Sequence, residues 1–105
     1  MLLTLLLLAV APVPSSNPGR WVTLADYPPE ALAARAQGRV IFTLNVGNDG
    51  MPKGCSIVES SGFASLDNAT CQLLMVRARF QPVGADGYSA KSTYTNSVRW
   101  TLPTN

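Results

Sequence analysis

The sequence predicts an α+β domain in which two helices pack on a three-stranded antiparallel sheet. Three observations carry this. Apolar residues recur at helical spacing over 65–74, strong helix formers fill 30–36 behind a proline start, and apolar residues alternate with polar ones in 40–46 and 90–102. Between the first alternating stretch and the extended run after it stands Asn48-Asp49-Gly50, whose residue types tolerate left-handed backbone and reverse a chain tightly. A hairpin, a third strand antiparallel to it and two helices make a small α+β domain, with the helices expected on one face of the sheet.

Taken in order, the folded part is expected to begin near Trp21. Pro28 and Pro29 precede Glu30-Ala31-Leu32-Ala33-Ala34-Arg35-Ala36, where proline and an acidic residue sit at the start, strong helix formers follow and Gly38 stops the run. In the first strand Val40, Phe42, Leu44 and Val46 share one face and Arg39, Thr43 and Asn45 the other, interrupted only by Ile41. Cys55, Ile57 and Val58 continue extended beyond the turn and complete the hairpin. Ser65-Leu66-Asp67-Asn68 opens the second helix, with Ser65 as its cap, Asp67 near its positive end and Leu66, Ala69, Thr70, Leu73 and Leu74 at helical spacing. Asp86-Gly87 marks a turn before the last strand. There Ala90, Tyr94, Val98, Trp100 and Leu102 alternate with Lys91, Thr93, Thr95, Ser97, Arg99 and Thr101, which predicts an apolar inner and a polar outer face.

Ahead of the domain, Leu2 to Ala11 is nearly all leucine, alanine and valine and gives way at once to Pro12, Pro14, Ser15 and Ser16. A bilayer-spanning helix needs about 20 apolar residues, so this run reads as the apolar part of a secretion signal, with Ala9-Val10-Ala11 as a small-x-small cleavage pattern, or as a truncated membrane anchor. Residues 12–20, rich in proline, serine, asparagine and glycine, read as a linker, and 21–105 as the domain. Export agrees with the cysteines. Cys55 and Cys71 are the only two, and an even count in a small exported chain favours a disulfide, which here would pin the second helix onto the second strand.

Composition excludes several functions. With 105 residues, 47% hydrophobic and 13% charged, the chain supports one domain with a modest core. A net charge of +2 with no run of Lys or Arg is unlike the clustered positive face that nucleic acid requires. The chain has no histidine, which removes the commonest general base, and no nucleophile elbow, phosphate loop or dinucleotide fingerprint. Asp26, Glu30, Asp49, Glu59, Asp67 and Asp86 fall mainly at turns and helix starts, where capping and solvation account for them. The expectation is therefore no catalytic residue, no cofactor, no small-molecule substrate and no metal site, since two thiols without histidine or matched carboxylates do not make a tetrahedral zinc set.

Six small landmarks then fall in order: Tyr27-Pro28, Gly38-Arg39-Val40, Asp49-Gly50, Ser60-Ser61-Gly62, Leu66-Asp67, and Arg79-Phe80 followed by Pro82. Over residues 26 to 103 the chain resembles the C-terminal domain of TonB-type energy transducers. The resemblance implies the same α+β fold and a periplasmic binding module. In that family the domain captures a short extended segment of an outer-membrane TonB-dependent transporter beside its last strand. By position that strand is 90–102 here, with Lys91, Thr93, Thr95, Ser97 and Arg99 as outward candidates for partner contact. Residues 21–26 also lie where the family touches its partner, and Leu24 occupies the position where members often carry glutamine. Tyr94, Val98 and Trp100 share the apolar face and read as core; Arg77 stands where relatives usually have tryptophan. Energy-transducing members have a full transmembrane helix with a functional histidine and a long proline-rich linker. Residues 1–11 are shorter than that, and a linker of 12–20 would span only about 30 Å. The reading is thus a binding module that takes up a transporter peptide by strand addition, the alternative being a structural envelope protein that dimerises through its last strand.

Overall fold

The structure, a computed structural model, describes residues 12–82 and 92–103. The expected signal or anchor at 1–11, the Asp86-Gly87 turn, Ala90 and Lys91 lie outside the described residues. The chain forms 3-10 turns at Pro18–Arg20 and Leu24–Asp26, helix α1 (Pro29–Ala33), strands β1 (Gly38–Val46) and β2 (Pro52–Glu59), helix α2 (Ala64–Arg77) and strand β3 (Ser92–Trp100). The strands make one antiparallel sheet in the order β2-β1-β3, as the α+β reading requires.

β1 sits in the middle because its apolar alternation is the most complete. Val40, Phe42, Leu44 and Val46 are all buried under the helices. Two clusters form on that face. One joins Trp21, Phe42, Leu44, Val46, Leu74, Ala78 and Phe80; the other joins Tyr27, Ala31, Ala36, Val40, Leu66 and Trp100. Val22 and Val98 touch both and make the core continuous.

The hairpin turn forms as the sequence indicates, with Gly50 at φ +82°. Glycine is needed there twice over. The residue after the second helix returns across the turn, Phe80 N–H donating to Gly50 O at 2.9 Å, and a Cβ on Gly50 would stand 2.1 Å from Phe80 O. Asp49 completes the turn by accepting from Met51 N–H and Lys53 Nζ; the lysine, more than the amide, holds its carboxyl below the usual value.

Three local expectations are corrected. The first helix ends at Ala33, not at Gly38, because Arg35 adopts φ +54° and turns Ala36 into the core, where its carbonyl accepts the Tyr27 hydroxyl. Gly38 instead opens β1, and its missing side chain admits the backbone of Ser61, whose oxygen would lie 2.6 Å from a Cβ. Ser65 does not cap α2. The helix begins at Ala64 with Phe63 at the cap position and no side-chain cap bond. Asp67 reaches back to fasten the loop before it, accepting from Ser61 N–H, the Ser61 hydroxyl and the Ser60 hydroxyl. Burial pushes its carboxyl pKa up, yet these bonds outweigh burial and leave it lowered.

Cys55 on β2 and Cys71 on α2 are joined by a disulfide with Cα atoms 5.7 Å apart. It clips the helix to a strand whose last four residues, 56–59, are all exposed. Residues 12–20, expected as a linker, also engage the domain. Ser15 N–H donates to Arg79 O at 2.9 Å, Gln81 N–H donates to Val13 O at 2.8 Å, and the Ser16 hydroxyl accepts the Trp21 indole N–H at 2.9 Å.

Candidate functional site

Both outer strands of the sheet have an unpaired side among the described residues, and the two edges differ. β2 pairs with β1 through two register shifts, between Ile41 and Phe42 and between Asn45 and Val46, and begins with Pro52, which has no N–H to offer. Shifts and proline twist and blunt an edge. β3 pairs with β1 over all nine of its residues, from Ser92 opposite Val46 to Trp100 opposite Gly38, without a shift. It is the straighter template for another strand.

Two hydrogen bonds fix which backbone groups of β3 point outward. Leu102 N–H donates to Gln37 Oε1 at 2.9 Å, on the β1 side, so the even-numbered positions face β1. Ser97 N–H donates to the side chain of its own neighbour, Asn96 Oδ1, at 2.8 Å, the geometry of a group with no strand beside it. Thr93, Thr95, Ser97 and Arg99 therefore present N–H and C=O to the open edge, with their side chains on the sheet face that the helices leave uncovered. All four side chains are exposed, and the Thr95 hydroxyl shares a hydrogen bond with Thr43 at 2.7 Å. The sequence grouped these four correctly by face; Lys91 lies outside the described residues.

On the helix side of the same edge a recess of about 200 Å³ opens between the Pro18–Arg20 turn and β3. Trp21, Val22, Phe42 and Leu74 give it an apolar floor, and Asn96 and Arg99 stand among the residues at its β3 side. Tyr94, expected in the core, is half-buried at this wall. Its ring meets Phe80 edge-on at 5.0 Å and Trp21 at 6.1 Å, and its hydroxyl accepts Asn96 Nδ2 at 2.9 Å. Val98 is likewise half-buried, and of the three inward residues only Trp100 is fully enclosed.

The other wall depends on Arg77. Its guanidinium donates to Asp26 at 2.7 and 2.9 Å and to Trp21 O at 3.0 Å, holding residues 21–26 against the end of α2. The Arg77 hydrogen bond brings the Asp26 carboxyl to about 2 from an ordinary 3.8; partial burial opposes it, and Thr23 N–H and hydroxyl, at 2.8 and 3.0 Å, add to the pull. Where the sequence showed only an arginine at a position that relatives usually fill with tryptophan, the structure shows a bidentate clasp. Leu24, 57% exposed, starts the 3-10 turn inside this clasped segment but does not line the recess.

The sequence reading missed Asn96. Its signal was available: with Ser92 it is one of two polar residues at the even positions of the last strand, and it alone stands between apolar Tyr94 and Val98. Among the described residues no cluster of three metal-ligating side chains exists, and no helix is long and apolar enough to cross a membrane.

Comparison with known proteins gives a consistent result. Residues 24–102 match the family described as Gram-negative bacterial TonB protein C-terminal. The chain is 42% identical over 76 residues to Protein TonB of Haemophilus influenzae (strain ATCC 51907 / DSM 11121 / KW20 / Rd), a match that covers 72% of this chain and 27% of that protein. The chain thus spans about a quarter of that curated relative. The solution NMR structure of the Pseudomonas aeruginosa TonB CTD is similar with a TM-score of 0.60 at 23% identity, over 75% of this chain and 79% of that one, a likeness of fold.

Proposed function

The chain belongs to the TonB C-terminal family, and from that premise we propose that it is a periplasmic binding module that captures an extended peptide segment of an outer-membrane TonB-dependent transporter by adding it as a strand to β3. The carrying observation is the unshifted nine-residue ladder of β3, open on its outer side and flanked by an apolar recess. Main-chain bonds to Thr93, Thr95, Ser97 and Arg99 supply affinity that any extended segment can use. Selectivity comes from the side chains of that segment, which alternate between the polar outer face and the recess. Leu24, exposed in the clasped segment, contributes contact area outside the recess. The module serves energy-coupled transport across the outer membrane, and takes part through its partner rather than through chemistry of its own.

An amide-resolved NMR titration of the oxidised protein with N-terminal peptides from the host's outer-membrane transporters tests this. Shifts concentrated in 92–100 and in 18–22 are expected. A silent titration on a well-folded spectrum would remove the reading. The same open ladder fits a second copy of the chain, and a stable dimer in light scattering with β3 amides shielded would favour self-association instead.

A further inference from the structure

An edge strand is a hazard as well as a site, because unpaired amides accept any extended chain that meets them. On β3 one of these amides is already occupied. Ser97 N–H, near the centre of the strand, is held by Asn96 Oδ1 at 2.8 Å, and the same carboxamide is fixed from its other end by donating to Tyr94 Oη at 2.9 Å. Tyr94 is in turn fixed by its packing on Phe80 and Trp21. Asn96 is thus held by both ends of its amide at the rim of the recess.

We infer that Asn96 is the specificity-determining guard of the β3 edge: its side-chain oxygen stands in for the carbonyl of a missing strand on Ser97 N–H and must be displaced before another strand can add. The inference rests on the strand-addition reading and deepens it. A strand that delivers a backbone carbonyl opposite Ser97 replaces one hydrogen bond by an equivalent one, and the released carboxamide remains at the recess rim, free to bond the arriving segment. A strand out of register, or one interrupted by a residue that cannot place its carbonyl there, leaves Asn96 in place and loses the central bond of the ladder. Side-chain to backbone bonds of this local kind compete with strand pairing in general. Here the competition falls at the one edge that is regular enough to be paired.

Hydrogen exchange read by NMR on the oxidised full chain tests the guard without any ligand. Thr95 and Ser97 share the open edge, so the guard predicts a Ser97 protection factor about two- to tenfold above that of Thr95, the range of a single neutral hydrogen bond. Asn96→Ala should bring Ser97 down to the level of Thr95, whereas Asn96→Asp keeps an acceptor oxygen and should retain the protection. Equal protection of Thr95 and Ser97 in the unsubstituted protein, or no change in Asn96→Ala, would overturn the inference. Sedimentation equilibrium supplies the second readout, with another copy of the chain as the strand source. Asn96→Ala should self-associate several-fold more tightly than either the unsubstituted protein or Asn96→Asp; identical association in all three would remove the gating role. The two readings fail separately. Peptide-induced shifts in β3 with an unprotected Ser97 would discard the guard and keep strand addition. A protected Ser97 with no response to transporter peptides would discard strand addition and leave the hydrogen bond without a gating role.

Discussion

Trp100 closes the core with a polar atom, and one hydroxyl makes that possible. Its indole N–H donates to Thr70 Oγ1 at 2.9 Å, and the Thr70 hydroxyl donates to Leu66 O at 2.7 Å, one turn back in α2. All three residues are buried. Thr70→Val keeps the shape but strands the indole N–H, so unfolding should show a loss of about 1–3 kcal/mol, with Thr70→Ser recovering most of it. The Asp26–Arg77 clasp gives a second residue-scale expectation. The folded carboxyl titrates at about 2 and the unfolded one near 3.8, so the stabilisation is complete well above pH 4 and is lost as pH falls through 4 toward 2. Thermal unfolding across that window should lose an increment that Asp26→Asn does not show, and the variant should be less stable by about 1–2 kcal/mol at neutral pH. Burial of Trp100 could be read from the alternation. The partners of Thr70, Asp26 and Arg77 could not, because each pair joins segments whose approach is set only by the finished fold.

At the scale of elements, the period of the apolar residues located the second helix and strands β1 and β3, which bury one face on the same core, while a proline start followed by helix formers marked the first helix and the turn residues ahead of β2 marked that strand. What periodicity did not give was their ends. Left-handed Arg35 cut the first helix short, and Asp67 reorganised the start of the second, both through backbone geometry that no apolar pattern records. The Cys55–Cys71 pairing followed from counting, yet its effect belongs to β2, whose exposed residues give it little packing of its own. With the cysteines 16 residues apart, reduction or a Cys55→Ala/Cys71→Ala double variant should cost about 3 kcal/mol in the chain-entropy account, seen as a lower denaturant midpoint. A midpoint unmoved by reductant would show that α2 packing holds β2 unaided. The β3 edge was legible as a face pattern; the recess beside it was not, since part of its wall is made by Pro18 and Gly19, from a stretch that composition alone marked as a linker.

For the molecule as a whole, the N-terminal stretch is part of the structure. Removing residues 12–20 deletes two backbone bonds to 79–81 and the Ser16 partner of the Trp21 indole, so the fragment 21–105 should unfold about 1–3 kcal/mol more easily than 12–105 and should lose the wall of the recess. Equal denaturation curves would return that stretch to the role of a spacer. The strand order β2-β1-β3 has a further consequence, which concerns time rather than energy. β1 finds β2 across a short turn, but Thr43 meets Thr95 only 52 residues along the chain. Contacts so distant in sequence form late, after the loop between them has been closed. The hairpin, α2 and their disulfide can all assemble while the second side of β1 still lacks a strand. The strand that completes the sheet is then also the last to arrive, and until it does the central strand is itself an open edge. Pulse-labelled amides should show protection of β1–β2 pairs before β1–β3 pairs, which would make the maturing chain pass briefly through a state that accepts a strand one position deeper in the sheet than the finished protein does.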